Sequence, residues 1–190
     1  KKDYVYLILK RIMDLCIAIP AFIVSLLVYP FIYIAIKLED GGPLFAKMDR
    51  IGQNNKIINI IKFRSMHTVD DGTWVLKEGK QAEQANSEAR KMRVTKVGKF
   101  IRKTRIDEFP QFWNVIKGEM SIVGPRAERK FFADQIIEKA PHYKLIWKTK
   151  PGITSLGMVK YGYASTVDEM VQRLKYDIVY IENMNFIMDL

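Results

Sequence analysis

The chain has 190 residues, room for one domain and a small appendage, and its 48% apolar and 27% charged residues are typical of a protein with a core. One cysteine, Cys16, excludes an internal disulfide and a cysteine zinc cluster, and two histidines disfavour a histidine metal site. Lysine and arginine total 31 against 21 acidic residues, a net charge of +10 that favours an anionic partner. The first residue is Lys1 rather than methionine, as expected for a piece of a longer polypeptide.

An apolar run near the start of the chain predicts a membrane segment. From Leu15 to Ile36 no residue is charged, and as a helix this run would measure about 33 Å, enough to cross a hydrocarbon core. Its length and its end without a small-residue cleavage site disfavour a secretory signal. Pro30 removes the donor for the carbonyl of Leu26, and basic residues at both ends give no direction by the positive-inside rule. Two interpretations stay open: a re-entrant helix that breaks at Tyr29–Pro30 and returns, and a kinked helix that spans the bilayer.

The rest of the chain has no second run of this kind and is typical of a soluble domain. Residues 57–63 predict a strand, Met120 to Val123 predict a short one, and Val167 to Glu182 predict a helix with an apolar stripe of 3.6-residue period. Lys62 and Arg64 are two residues apart and would share one face of a continuing strand. They are either a solvated strand edge or a pair of phosphate-binding cations.

Residues 90–105 form the most basic part of the sequence. They hold eight basic residues and no acid, with Val97, Phe100 and Ile101 at helical spacing among them. This pattern predicts a basic amphipathic helix on an anionic membrane surface. Nucleic acid is the alternative partner, but the apolar run upstream favours lipid.

Three acidic residues are candidates for chemistry. Asp107 and Glu108 precede Pro110, which is tolerated in the first turn of a helix, so we expect a helix to begin near Asp107 and to end at Gly118. Acids at such a position are either ordinary caps or a reactive pair beside unpaired N–H groups. Asp177 lies at the edge of the apolar stripe of the last helix, where a carboxylate needs a cation, hydrogen-bond donors or a metal. The sequence leaves these alternatives open.

A series of short motifs resembles the bacterial sugar transferases, the monotopic phosphoglycosyl transferases. The resemblance extends from Lys10 to Leu190, and it is specific because the motifs occur together and in order. They are Lys10-Arg11-Ile12-Met13-Asp14, Asp49-Arg50-Ile51-Gly52, Lys62-Phe63-Arg64-Ser65-Met66, Arg102–Glu108, Trp113–Ser121, Val123-Gly124-Pro125-Arg126 and Lys150–Thr154.

The resemblance implies a membrane enzyme. The chain is expected to move a sugar 1-phosphate from a UDP-sugar to polyprenyl (undecaprenyl) phosphate and to release UMP, the first step of surface polysaccharide assembly (exopolysaccharide, O-antigen or capsule). The implied location is the cytoplasmic face of the bacterial inner membrane, with lipid but no nucleic acid as a partner and a homodimer left open. The implied fold is α+β and mainly helical. A re-entrant membrane helix broken at Pro30 occupies 1–38, and a catalytic domain with short β-strands and surface amphipathic helices occupies 39–190.

The resemblance also implies roles for single residues. Asp107 matches the nucleophile, which forms an aspartyl phosphosugar, and Glu108 matches its neighbour in acid–base work or metal binding. Mg²⁺ is the implied cofactor, with Asp107, Glu108 and Asp177 as its ligands. The residues expected to bind substrate phosphate or nucleotide are Lys62, Arg64, Arg105, Arg126 and Lys150.

The sequence departs from the family pattern at three places. Tyr29 stands where the family has a serine before Pro30, and Ala127 replaces the second proline of a Pro-Arg-Pro motif. Tyr163, with Lys160 nearby, stands where some members have a phosphate-contacting arginine, so that role is not carried over. A second class of function also stays open: a non-enzymatic membrane-surface module that binds anionic lipid or nucleic acid through residues 90–105.

Overall fold

A computed structural model describes residues 4–67 and 94–190. The described chain is mostly helical, as predicted, with two small two-stranded sheets. Three 3₁₀ turns cover Gln53–Asn55, Ile106–Glu108 and Pro141–Lys148. The helices and strands are α1 (Tyr4–Asp40), β1 (Phe45–Ile51), β2 (Ile57–Phe63), α2 (Lys96–Lys103), α3 (Gln111–Lys117), β3 (Ser121–Val123), α4 (Lys130–Lys139), β4 (Gly152–Thr154), α5 (Leu156–Lys160), α6 (Val167–Glu182) and α7 (Phe186–Asp189).

Helix α1 contains the predicted membrane run and is 37 residues long. Among the described residues it is the one helix that is long and apolar enough to cross a membrane. The helix continues through Pro30, so the predicted break at Tyr29–Pro30 is not confirmed. A proline removes one backbone hydrogen bond and bends a helix without necessarily ending it. Here the turns on both sides of Pro30 pack against the domain: the ring centroid of Tyr29 lies 4.9 Å from that of Phe63, and Ile32 is buried.

Both ends of α1 are attached to the same domain. Near its start, Arg11 donates to the carbonyl oxygens of Val115 and Ile116 at 2.7 and 2.8 Å. At its end, Asp40 accepts hydrogen bonds from Arg64. The side of α1 that faces away from the domain is apolar and exposed; examples are Ile8, Ile12, Ile23, Leu27, Phe31 and Leu38.

The domain contains two small β-sheets, each of two strands. β1 and β2 form an antiparallel hairpin, with Ala46 opposite Lys62, and β2 coincides with the predicted strand at 57–63. β3 and β4 pair in parallel. Their backbones meet so closely that a Cβ on Gly152 would lie 2.2 Å from the amide nitrogen of Gly124, so only glycine fits there.

Asn114 fixes α3 against β2. It is completely buried; its Oδ1 accepts from the backbone N–H of Ile61 at 3.2 Å, and its Nδ2 donates to the carbonyl of Asn59 at 2.8 Å and to Glu119 at 2.7 Å. A buried amide with this many partners specifies one register between two elements. The turn that precedes α3 is thereby held in place relative to β2.

The largest core lies under α6, whose bounds match the helix predicted from the apolar stripe. α6 begins with a capping box between Thr166 and Glu169, the local signal that sets its start. It packs against α4 and the 3₁₀ turn at Pro141–Lys148. The predicted domain division at 38/39 stays a prediction.

Candidate active site

A cleft of about 560 Å³ opens beside the β1–β2 hairpin, α2 and the start of α6. This volume is in the range of small-molecule sites. Of the residues in 4–67 and 94–190, eight basic side chains line the cleft against three acidic ones, Asp107, Glu108 and Glu128. The excess of positive charge suits a ligand with several phosphate oxygens.

Asp107 and Glu108 lie in the 3₁₀ turn at Ile106–Glu108 rather than in the first turn of a helix. The predicted helix start near Asp107 is therefore wrong: α3 begins at Gln111, and Pro110 is its N-cap. Arg105 precedes the turn with a left-handed φ of 59°. For a residue other than glycine this conformation costs about 1–2 kcal/mol, so the surrounding packing must hold it.

Asp107 is buried, and one of its oxygens is unpaired. The residue is 8% exposed, and Oδ1 has no hydrogen-bond partner in the described structure. Burial raises the pKa of the Asp107 carboxyl; the charge of Lys62 opposes this effect, and that of Glu108 adds to it. A buried carboxylate with a free lone pair is available to an incoming electrophile or cation.

Glu108 is held by two cations. Its Oε1 lies 2.7 Å from Lys62 Nζ and 3.6 Å from Arg105 Nη1. Lys62, Arg105 and Arg126 all line the cleft, so three of the five predicted phosphate-binding residues are brought together with the acidic pair.

The other two predicted phosphate-binding residues lie outside the cleft lining. Arg64 is buried and donates to both carboxylate oxygens of Asp40. Lys62 and Arg64 have different partners: Lys62 pairs with Glu108 in the cleft, whereas Arg64 pairs with Asp40 at the end of α1. Lys150 is half-buried beside Arg11; burial, followed by the charge of Arg11, lowers its pKa.

Asp177, the third predicted metal ligand, also lies outside the cleft lining. Its Oδ1 accepts from the backbone N–H of Gly157 at 2.9 Å, and its Oδ2 accepts from that of Arg126 at 3.3 Å. Both oxygens are therefore used in backbone contacts, and burial raises the pKa of this carboxyl. Backbone donors are one of the partners that the sequence left open for Asp177, the charge of Arg173 also acts on it, and its role as a metal ligand stays a prediction.

Asp107 and Glu108 fit a magnesium ion as a pair but not as part of a larger cluster. Within residues 4–67 and 94–190, no group of three or more histidine, cysteine, aspartate or glutamate residues could hold a metal. The Oδ1 atom of Asp107 is a hard oxygen ligand that has no hydrogen-bond partner in the described part of the chain. Mg²⁺ often binds to one or two carboxylates and completes its shell with water and substrate phosphates, which suits this pair.

Three further charged residues of the cleft, Arg50, Glu128 and Arg173, were not among the predicted site residues. Glu128 is 5% exposed and forms an ion pair with each of the two arginines. The available signals were the place of Arg50 in the motif Asp49–Gly52 and the position of Glu128 two residues after Arg126.

Part of the predicted basic helix is described. Residues 90–93 lie outside the described ranges, and α2 begins after Thr95, whose hydroxyl accepts from the N–H of Gly98 at 2.7 Å. Arg102 and Lys103, at the end of α2, line the cleft. Contact of this helix with a membrane surface stays a prediction.

Comparison with known proteins gives a consistent result. The family model described as bacterial sugar transferase matches residues 5–190. A UDP-N-acetylgalactosamine-undecaprenyl-phosphate N-acetylgalactosaminephosphotransferase from Aeromonas hydrophila is 39% identical over 188 residues, 97% of this chain and 42% of the relative. UDP-glucose:undecaprenyl-phosphate glucose-1-phosphate transferases from Klebsiella pneumoniae and Caulobacter vibrioides are 34% and 35% identical, over 97% and 95% of this chain and 38% and 65% of the relatives. The chain thus spans about two fifths of the length of the first two relatives. With a match over nearly every residue, the chain belongs to the bacterial sugar transferase family.

Proposed function

We propose that this chain carries the catalytic centre of a phosphoglycosyl transferase that moves a sugar 1-phosphate from a UDP-sugar to undecaprenyl phosphate. The observation that carries the proposal is the buried carboxylate of Asp107, with an unpaired oxygen, in a cleft lined mainly by basic side chains. The relatives are named for this reaction with UDP-N-acetylgalactosamine or UDP-glucose. The reaction would begin the assembly of a surface polysaccharide.

The proposed mechanism has two displacements at one phosphorus atom. A carboxylate oxygen of Asp107 attacks the β-phosphorus of the UDP-sugar, and the bond from that phosphorus to the bridging oxygen breaks, so that UMP leaves with the electron pair. An oxygen of undecaprenyl phosphate then attacks the aspartyl phosphosugar, and the bond to Asp107 breaks to regenerate the carboxylate. Splitting the transfer in this way replaces one difficult step with two easier ones.

Other cleft residues would neutralise the negative charges of the nucleophile and the phosphates. Nucleophile and phosphates are all anionic, so attack needs compensating cations. Arg105 and Arg126 line the cleft beside the acidic pair, and Lys62 neutralises Glu108. Asp107 and Glu108 would hold Mg²⁺, which when bound supplies further neutralisation of phosphate charge.

We propose that α1, continuous in the structure, bends at Pro30 in the membrane, so that it enters the lipid from the cytoplasmic face of the inner membrane and returns to that face as a re-entrant segment. A helix that crossed the bilayer would carry one end away from the domain, whereas Arg11 and Asp40 attach both ends of α1 to it. The exposed apolar side of α1 would enter the lipid. This arrangement lets a water-soluble nucleotide sugar and a lipid-bound acceptor reach one cleft.

The test is UMP release from a panel of UDP-sugars in Mg²⁺, with and without undecaprenyl phosphate, using a membrane preparation of the full protein. We expect catalytic turnover with one or a few sugars only when the acceptor is present. We also expect a sugar-phosphate adduct on Asp107 by mass spectrometry when it is absent. Asp107→Asn should abolish both signals and remain folded, while Asp134→Asn on the surface of α4 should retain them. Vesicle binding without UMP release from any sugar would favour the membrane-surface module instead.

A further inference from the structure

One buried carboxylate, Glu128, is shared by three arginines at the wall of the cleft. Its Oε1 accepts a hydrogen bond from Arg173 Nη2 and lies 3.6 Å from Arg126 Nε. Its Oε2 lies 3.6 Å from Arg50 Nη1. The carbonyl oxygen of Glu128 also accepts from the N–H of Ile51 at 3.0 Å, so its backbone is fixed to β1 as well.

The charges in this group do not balance. Among the described residues, Arg50, Arg126 and Arg173 all pair with the one carboxylate of Glu128, and the charge of Asp177 acts on Arg173 as well, which still leaves positive charge in excess at the cleft wall. Burial lowers the pKa of Arg50 to about 10, the charge of Glu128 opposes this effect, and Arg50 therefore stays protonated near neutral pH. Gathering like charges is unfavourable unless an anion joins them, so the excess marks this wall as an anion site.

Arg126 is held from two directions. Its backbone N–H donates to Asp177 at 3.3 Å, and its side chain, 24% exposed, has Glu128 as its ion-pair partner among the described residues. A guanidinium has five N–H donors in a rigid plane, so a group bound along one edge keeps donors for a second oxyanion. Because Arg50 and Arg126 both line the cleft, their remaining donors are available to a ligand there.

We propose that Glu128 is a positioning residue that sets the side chains of Arg50 and Arg126 so that they bind the phosphate oxygens of a nucleoside diphosphate. Arg173 completes the group by neutralising the buried carboxylate. The identity of the ligand rests on the proposed function, whereas the arrangement of the arginines follows from their contacts with Glu128 alone.

The first test needs no substrate. Phenylglyoxal modifies exposed guanidinium groups, and mass spectrometry gives the rate at each arginine in the full protein. Glu128→Gln keeps the size of the side chain but removes its charge, so we expect Arg50 and Arg126 to be modified several-fold faster. Asp134→Asn removes one charge from an exposed ion pair with Lys130 and should leave both rates unchanged. Unchanged rates in Glu128→Gln, with the protein folded, would overturn the proposal.

The second test measures binding of UDP by calorimetry. We expect Glu128→Gln to weaken UDP binding by about tenfold or more, Glu128→Asp to recover part of the loss because the charge returns, and Asp134→Asn to bind as wild type. With the preferred UDP-sugar, KM should rise more than kcat falls, since the phosphates are held in both the ground and transition states. A loss of stability alone would not give this division between KM and kcat.

The outcomes separate this inference from the proposed function. Faster modification with unchanged UDP affinity would overturn the positioning role while leaving the transferase proposal intact. If wild type bound no UDP and released no UMP from any UDP-sugar, the transferase proposal would fail, and the labelling rates would still decide whether Glu128 sets the arginines.

Discussion

Lys62 Nζ lies 2.7 Å from the carboxylate of Glu108 and thereby joins strand β2 to the turn that carries Asp107. The same ammonium acts on Asp107 through its charge, where it opposes the rise in pKa caused by burial. One cation therefore holds the second acid in place and favours the ionised form of the first. This double role leads to a prediction about pH.

We predict that Lys62→Gln moves the acid limb of the pH profile of kcat/KM to higher pH. Asp107 must be ionised to attack phosphorus, so activity falls as the pH drops through its pKa. Removing a nearby cation destabilises the carboxylate and raises that pKa further, so activity is lost at a higher pH than in wild type. Lys47→Gln, an exposed position on the same hairpin, should leave the limb in place. An acid limb that stays put in Lys62→Gln would show that Lys62 does not tune Asp107.

A second prediction concerns the metal. Because both carboxylate oxygens of Asp177 bind backbone N–H groups, Asp177→Asn should not change the Mg²⁺ concentration that gives half-maximal UMP release, even where it lowers the maximal rate. Glu108→Gln should raise that concentration by at least about fivefold, since it removes one of two candidate oxygen ligands. Magnesium titrations of UMP release measure both effects. A large shift in Asp177→Asn would restore Asp177 as a metal ligand.

A third prediction concerns stability. Asn114→Ala removes the three hydrogen bonds that a fully buried side chain makes with β2 and Glu119, and it leaves the N–H of Ile61 without its side-chain acceptor. We expect the free energy of unfolding to fall by about 2–4 kcal/mol. Asn183→Ala removes one exposed hydrogen bond at the end of α6 and should cost less than about 1 kcal/mol. Chemical denaturation of the detergent-solubilised protein gives the two values, and equal losses would contradict the role assigned to Asn114.

The topology of α1 gives a fourth prediction. In a Cys16→Ser background, single cysteines at Tyr4 and Lys47, one near each end of α1 and both exposed, should react with an impermeant maleimide from the same, cytoplasmic side. A cysteine at Leu27, 69% exposed on the apolar side, should be protected from both sides by lipid. Spheroplasts and inverted vesicles provide the two accessible faces. Labelling of the two end positions from opposite sides would contradict a re-entrant helix.

The features that could be predicted were those that depend on residues close together in the sequence. The apolar run Leu15–Ile36 and the strand at 57–63 depend on the types of neighbouring side chains, the helix at Val167–Glu182 depends on their 3.6-residue period, and the structure has all three elements. Proline was a less reliable signal. Pro110 suggested a helix start near Asp107, but α3 begins at Gln111, after the acidic pair. Pro30 suggested a break, but it lies within α1, which packs against the domain.

The sequence by itself determined the membrane-type helix, the excess of basic charge and the motifs that mark the family, because each can be read from neighbouring residues and composition. Only the tertiary structure decided which charged residues meet. Arg64 pairs with Asp40, and Asp177 accepts hydrogen bonds from backbone N–H groups. By contrast, Arg50, Glu128 and Arg173 are far apart in the chain but meet at the cleft. A buried charge pairs with whichever partner the packing places beside it, and the distance between residues far apart in the chain cannot be read from the sequence.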